Sequence, residues 1–162
     1  MTRRPLLALL STLGFGMKAA RAQAPTPVVP KVEPLRLPAA EWKKRLTPDQ
    51  FDVLREEGTE RPGASPLNHE KRKGVFQCAG CNLPLFSADT KFESGTGWPS
   101  FYAALPGAVV TKTDMKLILP RTEYHCARCE GHQGHVFNDG PPPTGKRYCN
   151  NGVALNFVPA SA

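Results

Sequence analysis

Beyond Gly58 the chain is a series of short apolar runs broken by Gly, Pro and Asn: Gly74-Val75-Phe76, Leu83-Pro84-Leu85-Phe86, Val109-Val110, Leu117-Ile118-Leu119, His135-Val136-Phe137 and Val153 to Val158. Runs of that length, bounded by turn formers, predict the strands of an antiparallel β domain. Val153, Leu155 and Phe157 alternate with Ala154 and Asn156, so the last strand is expected to turn one face to the core and one towards solvent. Before Gly58 the signals are helical. One short helix is expected around Ala39 to Leu46. A second opens at Thr47 as N-cap, with Pro48 in the first turn and Gln50 where a capping box requires Glu or Gln. Phe51 and Leu54 of this helix should face the core. No internal repeat stands out beyond two Cys-x-x-Cys knuckles.

From Gln23 to Pro38 the pattern fades. This stretch holds Pro25, Pro27, Pro30, Pro34 and Pro38, no aromatic residue and only scattered aliphatic ones, the composition of an extended linker unable to build a core. The folded domain is therefore expected over residues 39–162. Residues 1–22 read as an export signal: a basic start, the apolar run Pro5 to Met17, and the small-residue pattern Ala20-Arg21-Ala22 or Ala22-Gln23-Ala24. Thr2-Arg3-Arg4-Pro5-Leu6-Leu7 resembles a twin-arginine address. Two alternatives compete. A membrane anchor would need a longer apolar stretch, and a mitochondrial transit peptide should be amphipathic and Ser-rich, whereas Ser11 is the one serine here. The expectation is export to a bacterial periplasm, with the mitochondrial matrix as alternative and no membrane span once the signal is removed.

A chain of 162 residues with 40% apolar and 22% charged residues suits one globular domain. Its formal charge of +7 overstates the basicity of that domain, because Arg3, Arg4, Lys18 and Arg21 all precede the first acid, Glu33. Without residues 1–22, 17 basic residues face 14 acidic ones, leaving +3. That gives no reason to invoke nucleic acid, and Lys71-Arg72-Lys73 reads as a solvated turn.

Four of the five cysteines form two matched pairs, Cys78-Ala79-Gly80-Cys81 and Cys126-Ala127-Arg128-Cys129. Each spacing lets a tight turn aim two thiolates at one ion, so together they read as a tetrahedral four-cysteine zinc site with no open position, structural and linked to folding. The long gap between the pairs implies that the ion ties distant strands together. Two disulfides, or one redox-active Cys-x-x-Cys, are the alternatives in an oxidising compartment. Cys149 is left over. Arg147 lies two positions earlier and would share its face in a strand, where a guanidinium could stabilise the thiolate; the alternative is a buried structural thiol. His132 and His135 form a His-x-x-His that lacks the helical spacing and intervening Glu of a zincin site.

Three further segments carry a family resemblance: Gly95-Thr96-Gly97-Trp98-Pro99-Ser100-Phe101, His132-Gln133-Gly134-His135-Val136-Phe137-Asn138-Asp139-Gly140-Pro141, and Thr144-Gly145 with Arg147-Tyr148-Cys149-Asn150-Asn151. With the two cysteine pairs they resemble the B-type methionine-R-sulfoxide reductases over roughly Glu41 to Pro159. The resemblance implies a mainly β fold of two antiparallel sheets with short N-terminal helices, stapled by one zinc on Cys78, Cys81, Cys126 and Cys129. It implies that Cys149 attacks the sulfoxide sulfur and becomes a sulfenic acid. Trp98 would wall the substrate methyl group, where an S-methyl packs well on an indole, with Phe101 and Phe137 beside the substrate. His132, His135, Asp139, Arg147 and Asn151 would surround the nucleophile, one histidine or a water it holds protonating the sulfoxide oxygen.

One departure matters. Many members carry a resolving cysteine between the two glycines of the Trp98 motif, and here that residue is Thr96. With four cysteines on zinc, the Cys149 intermediate would meet an external, thioredoxin-like thiol. The implied protein is a monomeric repair enzyme for oxidatively damaged proteins and peptides. Its rivals are a non-catalytic zinc-ribbon interaction module and a disulfide oxidoreductase.

Overall fold

The computed structural model describes residues 32–116 and 120–161. The expected export segment, residues 23–31 of the expected linker and the expected strand at Leu117 to Leu119 lie outside the described residues.

Both expected helices form, the second at its capping signal. Helix α1 spans Ala39–Arg45 and α2 spans Pro48–Glu56. The Thr47 side chain accepts from the Gln50 N–H and the Gln50 side chain accepts from the Thr47 N–H, a complete capping box, and such caps stabilise a helix by about 1 kcal/mol. Leu54 is buried as expected, but Val53 is its buried partner and Phe51 is only partly covered.

The strands form two antiparallel sheets. In the smaller, β1 (Gly74–Cys78) lies between β2 (Pro84–Ser87) and β9 (Leu155–Pro159). In the larger the order is β3 (Lys91–Phe92), β4 (Ser100–Phe101), β8 (Arg147–Asn150), β7 (His132–Phe137), β6 (Arg121–Cys126), β5 (Val109–Asp114). Two differences from the sequence pattern have clear causes. β6 has no apolar run because Glu123 and His125 are buried in it beside Tyr124. The last strand begins at Leu155, since Gly152–Ala154 coil into a 3-10 turn that buries Ala154 completely.

Aromatic rings fill the space between the sheets. Phe86 stacks on Phe101 with centroids 4.2 Å apart, and Phe76 meets the Phe101 edge at 4.9 Å. Tyr124 and Tyr148 extend the cluster. The packed chain starts before α1: the Leu35 N–H donates to the Arg128 carbonyl at 2.7 Å, and Val32, Leu35 and Leu37 lie against the core. No helix among the described residues is long and apolar enough to cross a membrane.

Candidate active site

Both cysteine pairs sit in turns that follow a strand, Cys78 ending β1 and Cys126 ending β6. The fold brings the turns together: Cys78 Sγ is 3.6 Å from Cys129 Sγ and Cys81 Sγ is 3.4 Å from Cys126 Sγ, with all four sulfurs within 4.8 Å of one another. A tetrahedron of sulfurs about 2.3 Å from a central ion has edges of roughly 3.8 Å, so the set fits one ion, and these separations are far beyond a disulfide bond of about 2.0 Å. The Gln133 amide donates to Cys78 Sγ at 3.4 Å, and the cysteines are buried.

Cys149 lies in the middle of the larger sheet, on β8, opposite Ser100 of β4 and His135 of β7. It lines a cleft of about 130 Å³ together with Thr59, Trp98, Arg121, His135, Phe137 and Asn151. The approach of β7 to β8 is close enough to require Gly134, because a Cβ there would stand 2.0 Å from the Cys149 carbonyl oxygen. Gly97, at φ +92, is likewise needed where the Trp98 loop touches Pro62.

The surrounding polar groups are held from behind. Arg147 forms a two-pronged pair with Asp139, Nε to Oδ1 at 2.9 Å and Nη2 to Oδ2 at 2.8 Å, and its guanidinium lies 4.3 Å from the Phe137 ring centroid. The Arg147 charge and a contact with the Thr96 hydroxyl, 4.0 Å from the sulfur, both favour the Cys149 thiolate, but burial outweighs them and pushes the thiol up. The expectation that Arg147 eases ionisation therefore holds for its direction alone. In the free protein, desolvation wins.

The two histidines differ in position. His135 lines the cleft and bonds through Nε2 to Asp114 Oδ2 at 2.8 Å. Asp114, also paired with Arg121 at 2.6 Å, is held well below the usual carboxylate range by the Lys116 backbone N–H and by His135. It is thus an acceptor, so His135 Nε2 carries a proton. His132 is 2% exposed, outside the cleft lining, with its ring 5.6 Å from that of His135. Its Nδ1 meets Glu123 Oε1 at 2.5 Å, and burial pushes its pKa down. Phe101 is fully buried between the sheets and does not reach the cleft; Arg147 and Asp139 do not line it either, Asp139 being held by Arg147, whose charge acts on Cys149.

Sequence reasoning passed over Glu60, which ties the site together. Its carbonyl accepts from the Trp98 indole at 3.2 Å, its N–H donates to Asn151 Oδ1 at 3.1 Å, and its carboxylate accepts the N–H groups of Gly152 and Val153 at 2.5 and 2.9 Å. The Trp98 indole is thus fastened to the strand end that carries Cys149. Asn151 is clamped further by its own amide, donating to the Gln133 carbonyl at 3.1 Å. No periodicity marks Glu60, which sits in the loop Gly58 to Gly63.

Comparison with known proteins gives a single answer. The SelR domain matches residues 46–159. The peptide methionine sulfoxide reductase MsrB of Methanosarcina barkeri is 58% identical over 118 residues, covering 72% of this chain and 83% of its own. That of Agrobacterium fabrum is 52% identical over 121 residues, 74% of this chain and 90% of its own. That of Pseudomonas savastanoi pv. phaseolicola is 56% identical over 120 residues, 74% and 92%. Among solved structures, the Mis18 'Yippee-like' domain aligns with 56% of this chain and 100% of its own at 19% identity and TM-score 0.44, too slight a likeness to define the fold. With the SelR domain spanning most of the chain, and relatives more than half identical over nearly their whole length, the chain belongs to the MsrB family of peptide methionine sulfoxide reductases.

Proposed function

We propose that the Cys149 cleft reduces the R epimer of methionine sulfoxide in oxidised proteins and peptides. As a member of its family the chain is an oxidoreductase acting on methionine sulfoxide. The observation that carries the finer reading is the convergence of Cys149, His135, Asn151, Trp98 and Phe137 on one small cleft. The substrate S-methyl group packs between the Trp98 and Phe137 rings, and the Cys149 sulfur attacks the sulfoxide sulfur. His135, or a water it holds, takes the Cys149 thiol proton and passes it to the sulfoxide oxygen, so that the S–O bond can break without expelling oxide. Oxygen passes to Cys149: the sulfoxide is reduced to the thioether, and the thiol is oxidised to a sulfenic acid that ends with the thiol proton on its hydroxyl. His132 and Glu123 act behind His135, holding its surroundings rather than touching substrate, and Asp139 acts through Arg147.

Because burial raises the Cys149 pKa above its ordinary value of 9.0, outweighing the favourable Arg147 charge, the free enzyme holds mostly thiol near neutrality. The rate of Cys149 alkylation by iodoacetamide in the substrate-free enzyme should therefore still be rising at pH 9. A plateau near neutral pH would contradict this.

The four-cysteine cluster is proposed to hold one zinc ion per chain, a structural staple that takes no part in oxygen transfer. That leaves Cys149 without a resolving thiol. An external thiol attacks the sulfenic sulfur, releasing water and forming a mixed disulfide, and a second thiol on the same thioredoxin-like donor then frees Cys149. One equivalent of substrate should accordingly leave a sulfenic acid on Cys149 that dimedone traps, with no internal disulfide. Thr96→Cys, whose native hydroxyl is 4.0 Å from the sulfur, should lower the trapped signal as a disulfide to Cys149 forms. Peptide mapping that found Cys149 joined to Cys78, Cys81, Cys126 or Cys129 in the unmutated protein would overturn this step. The proposed setting is a bacterial periplasm, reached through the export signal, where the enzyme works as a monomer in repair after oxidative stress.

A further inference from the structure

Beyond the cleft, three groups with metal-ligand chemistry meet at the far side of His132. Glu57, just after α2, and Glu123 and His125 of β6 each offer one ligand atom, and these atoms lie within 4.8 Å of one another. The reduction leaves Glu57 and His125 unused.

His125 supplies the independent observation. It is 9% exposed, and its Nδ1 lies 3.2 Å from the Glu130 carbonyl oxygen. A carbonyl only accepts, so Nδ1 carries the proton. The other ring nitrogen, Nε2, is buried without a hydrogen-bond partner and lies 3.2 Å from Glu123 Oε1. An unpartnered buried ring nitrogen facing a carboxylate is an arrangement that a shared metal ion would satisfy. An N–H turned to a backbone carbonyl is also how metal-bound histidines fix their tautomer.

Cationic charge is already drawn to this spot. Lys112 Nζ is 2.6 Å from Glu57 Oε1 and 3.2 Å from Glu123 Oε2, and Lys116 Nζ pairs with Glu57 Oε2. Both lysine side chains are about half exposed, on stems that can swing into solvent. A cavity of about 340 Å³, lined in part by Glu57, Glu130, His125 and His132, adjoins the cluster and gives a hydrated ion room to enter.

We infer that Glu57, Glu123 and His125 form a second metal site, separate from the four cysteines, for a divalent transition ion of the zinc class. One imidazole nitrogen and two carboxylate oxygens suit such an ion, with water completing its shell, better than a soft monovalent ion or one that prefers oxygen alone. Binding displaces Lys112 and Lys116. It also draws on Glu123 Oε1, the acceptor of His132 Nδ1, and His132 packs beside His135. Occupancy therefore slows the reductase, an effect that rests on the function proposed above, whereas the binding itself does not.

The test is a calorimetric titration with Zn2+ of the Cys149→Ser protein, already carrying its one tightly held zinc, so that the nucleophilic thiol cannot act as a ligand. A second equivalent should bind. Glu57→Gln should weaken it by roughly tenfold or more, while Lys112→Met with Lys116→Met should tighten it by removing the competing cations. No second equivalent in either background, or one that Glu57→Gln leaves unchanged, would overturn the site. In the otherwise native enzyme, Glu57→Gln should keep basal turnover and the first zinc yet lose part of the inhibition by added Zn2+. Equal inhibition of both proteins would overturn the coupling to catalysis while leaving the site itself to be judged by the titration.

Discussion

Cys149→Ser should lower turnover of a methionine sulfoxide peptide by roughly four orders of magnitude or more, as loss of a nucleophile does elsewhere, while the first zinc and the cooperative unfolding transition persist. Two chemical reasons act together. A serine hydroxyl is a far weaker nucleophile than a thiolate, and if it attacked and took the oxygen it would form an O–O bond in place of a sulfenic acid. The substitution changes one atom in a partly exposed side chain, so stability should shift by no more than about 1 kcal/mol. Measured kcat, metal content and thermal unfolding on one preparation separate the outcomes. Appreciable turnover in the variant would reject Cys149 as the nucleophile. The same result distinguishes the enzyme from an interaction module or a Cys-x-x-Cys oxidoreductase, neither of which would need this thiol.

The second large effect concerns the staple. Replacing Cys78 or Cys129 by serine should release the metal and unfold the whole domain rather than one loop. Structural zinc in small sites binds with about 10–16 kcal/mol, as much as the entire stability of about 5–15 kcal/mol that a domain possesses. Geometry spreads the damage: the cluster joins the ends of β1 and β6, one strand from each sheet. Helix α2 closes over it, since a Cβ on Gly131 would stand 2.9 Å from Leu54 Cδ2 and 3.3 Å from Cys129 Sγ. Metal analysis and circular dichroism check the outcome, and a metal-free variant with native stability would contradict it.

How much of this is legible in the sequence depends on what each residue is paired with. The Thr47–Gln50 capping box is a local signal, readable to the residue. The knuckles are readable because two equal spacings rarely coincide by chance. β6 is not, since hydrophobic patterning assumes that buried means apolar, and Glu123 is instead kept inside by His132 and Lys112. Burying a carboxylate alone costs several kcal/mol, so such a strand requires partners on other strands, which no window along the chain reveals. Leu35 and Leu37 fall within the proline-rich stretch, where isolated leucines carry no period; only the Arg128 carbonyl that Leu35 bonds makes them part of the fold. Within the site, Trp98 and Phe101 sit in one motif, yet Trp98 reaches the cleft and Phe101 turns into the space between the sheets. Motif membership locates a site, and the packing of the Trp98 loop and of the strand that carries Phe101 then decides which of its residues line the cleft.

The most direct test of the account is turnover of the separated R and S sulfoxides of a blocked methionine, with a dithiol as reductant and the zinc-loaded protein as catalyst. The R epimer should be consumed to the thioether while the S epimer is left essentially untouched. Turnover of the S epimer alone, or of neither, would contradict it.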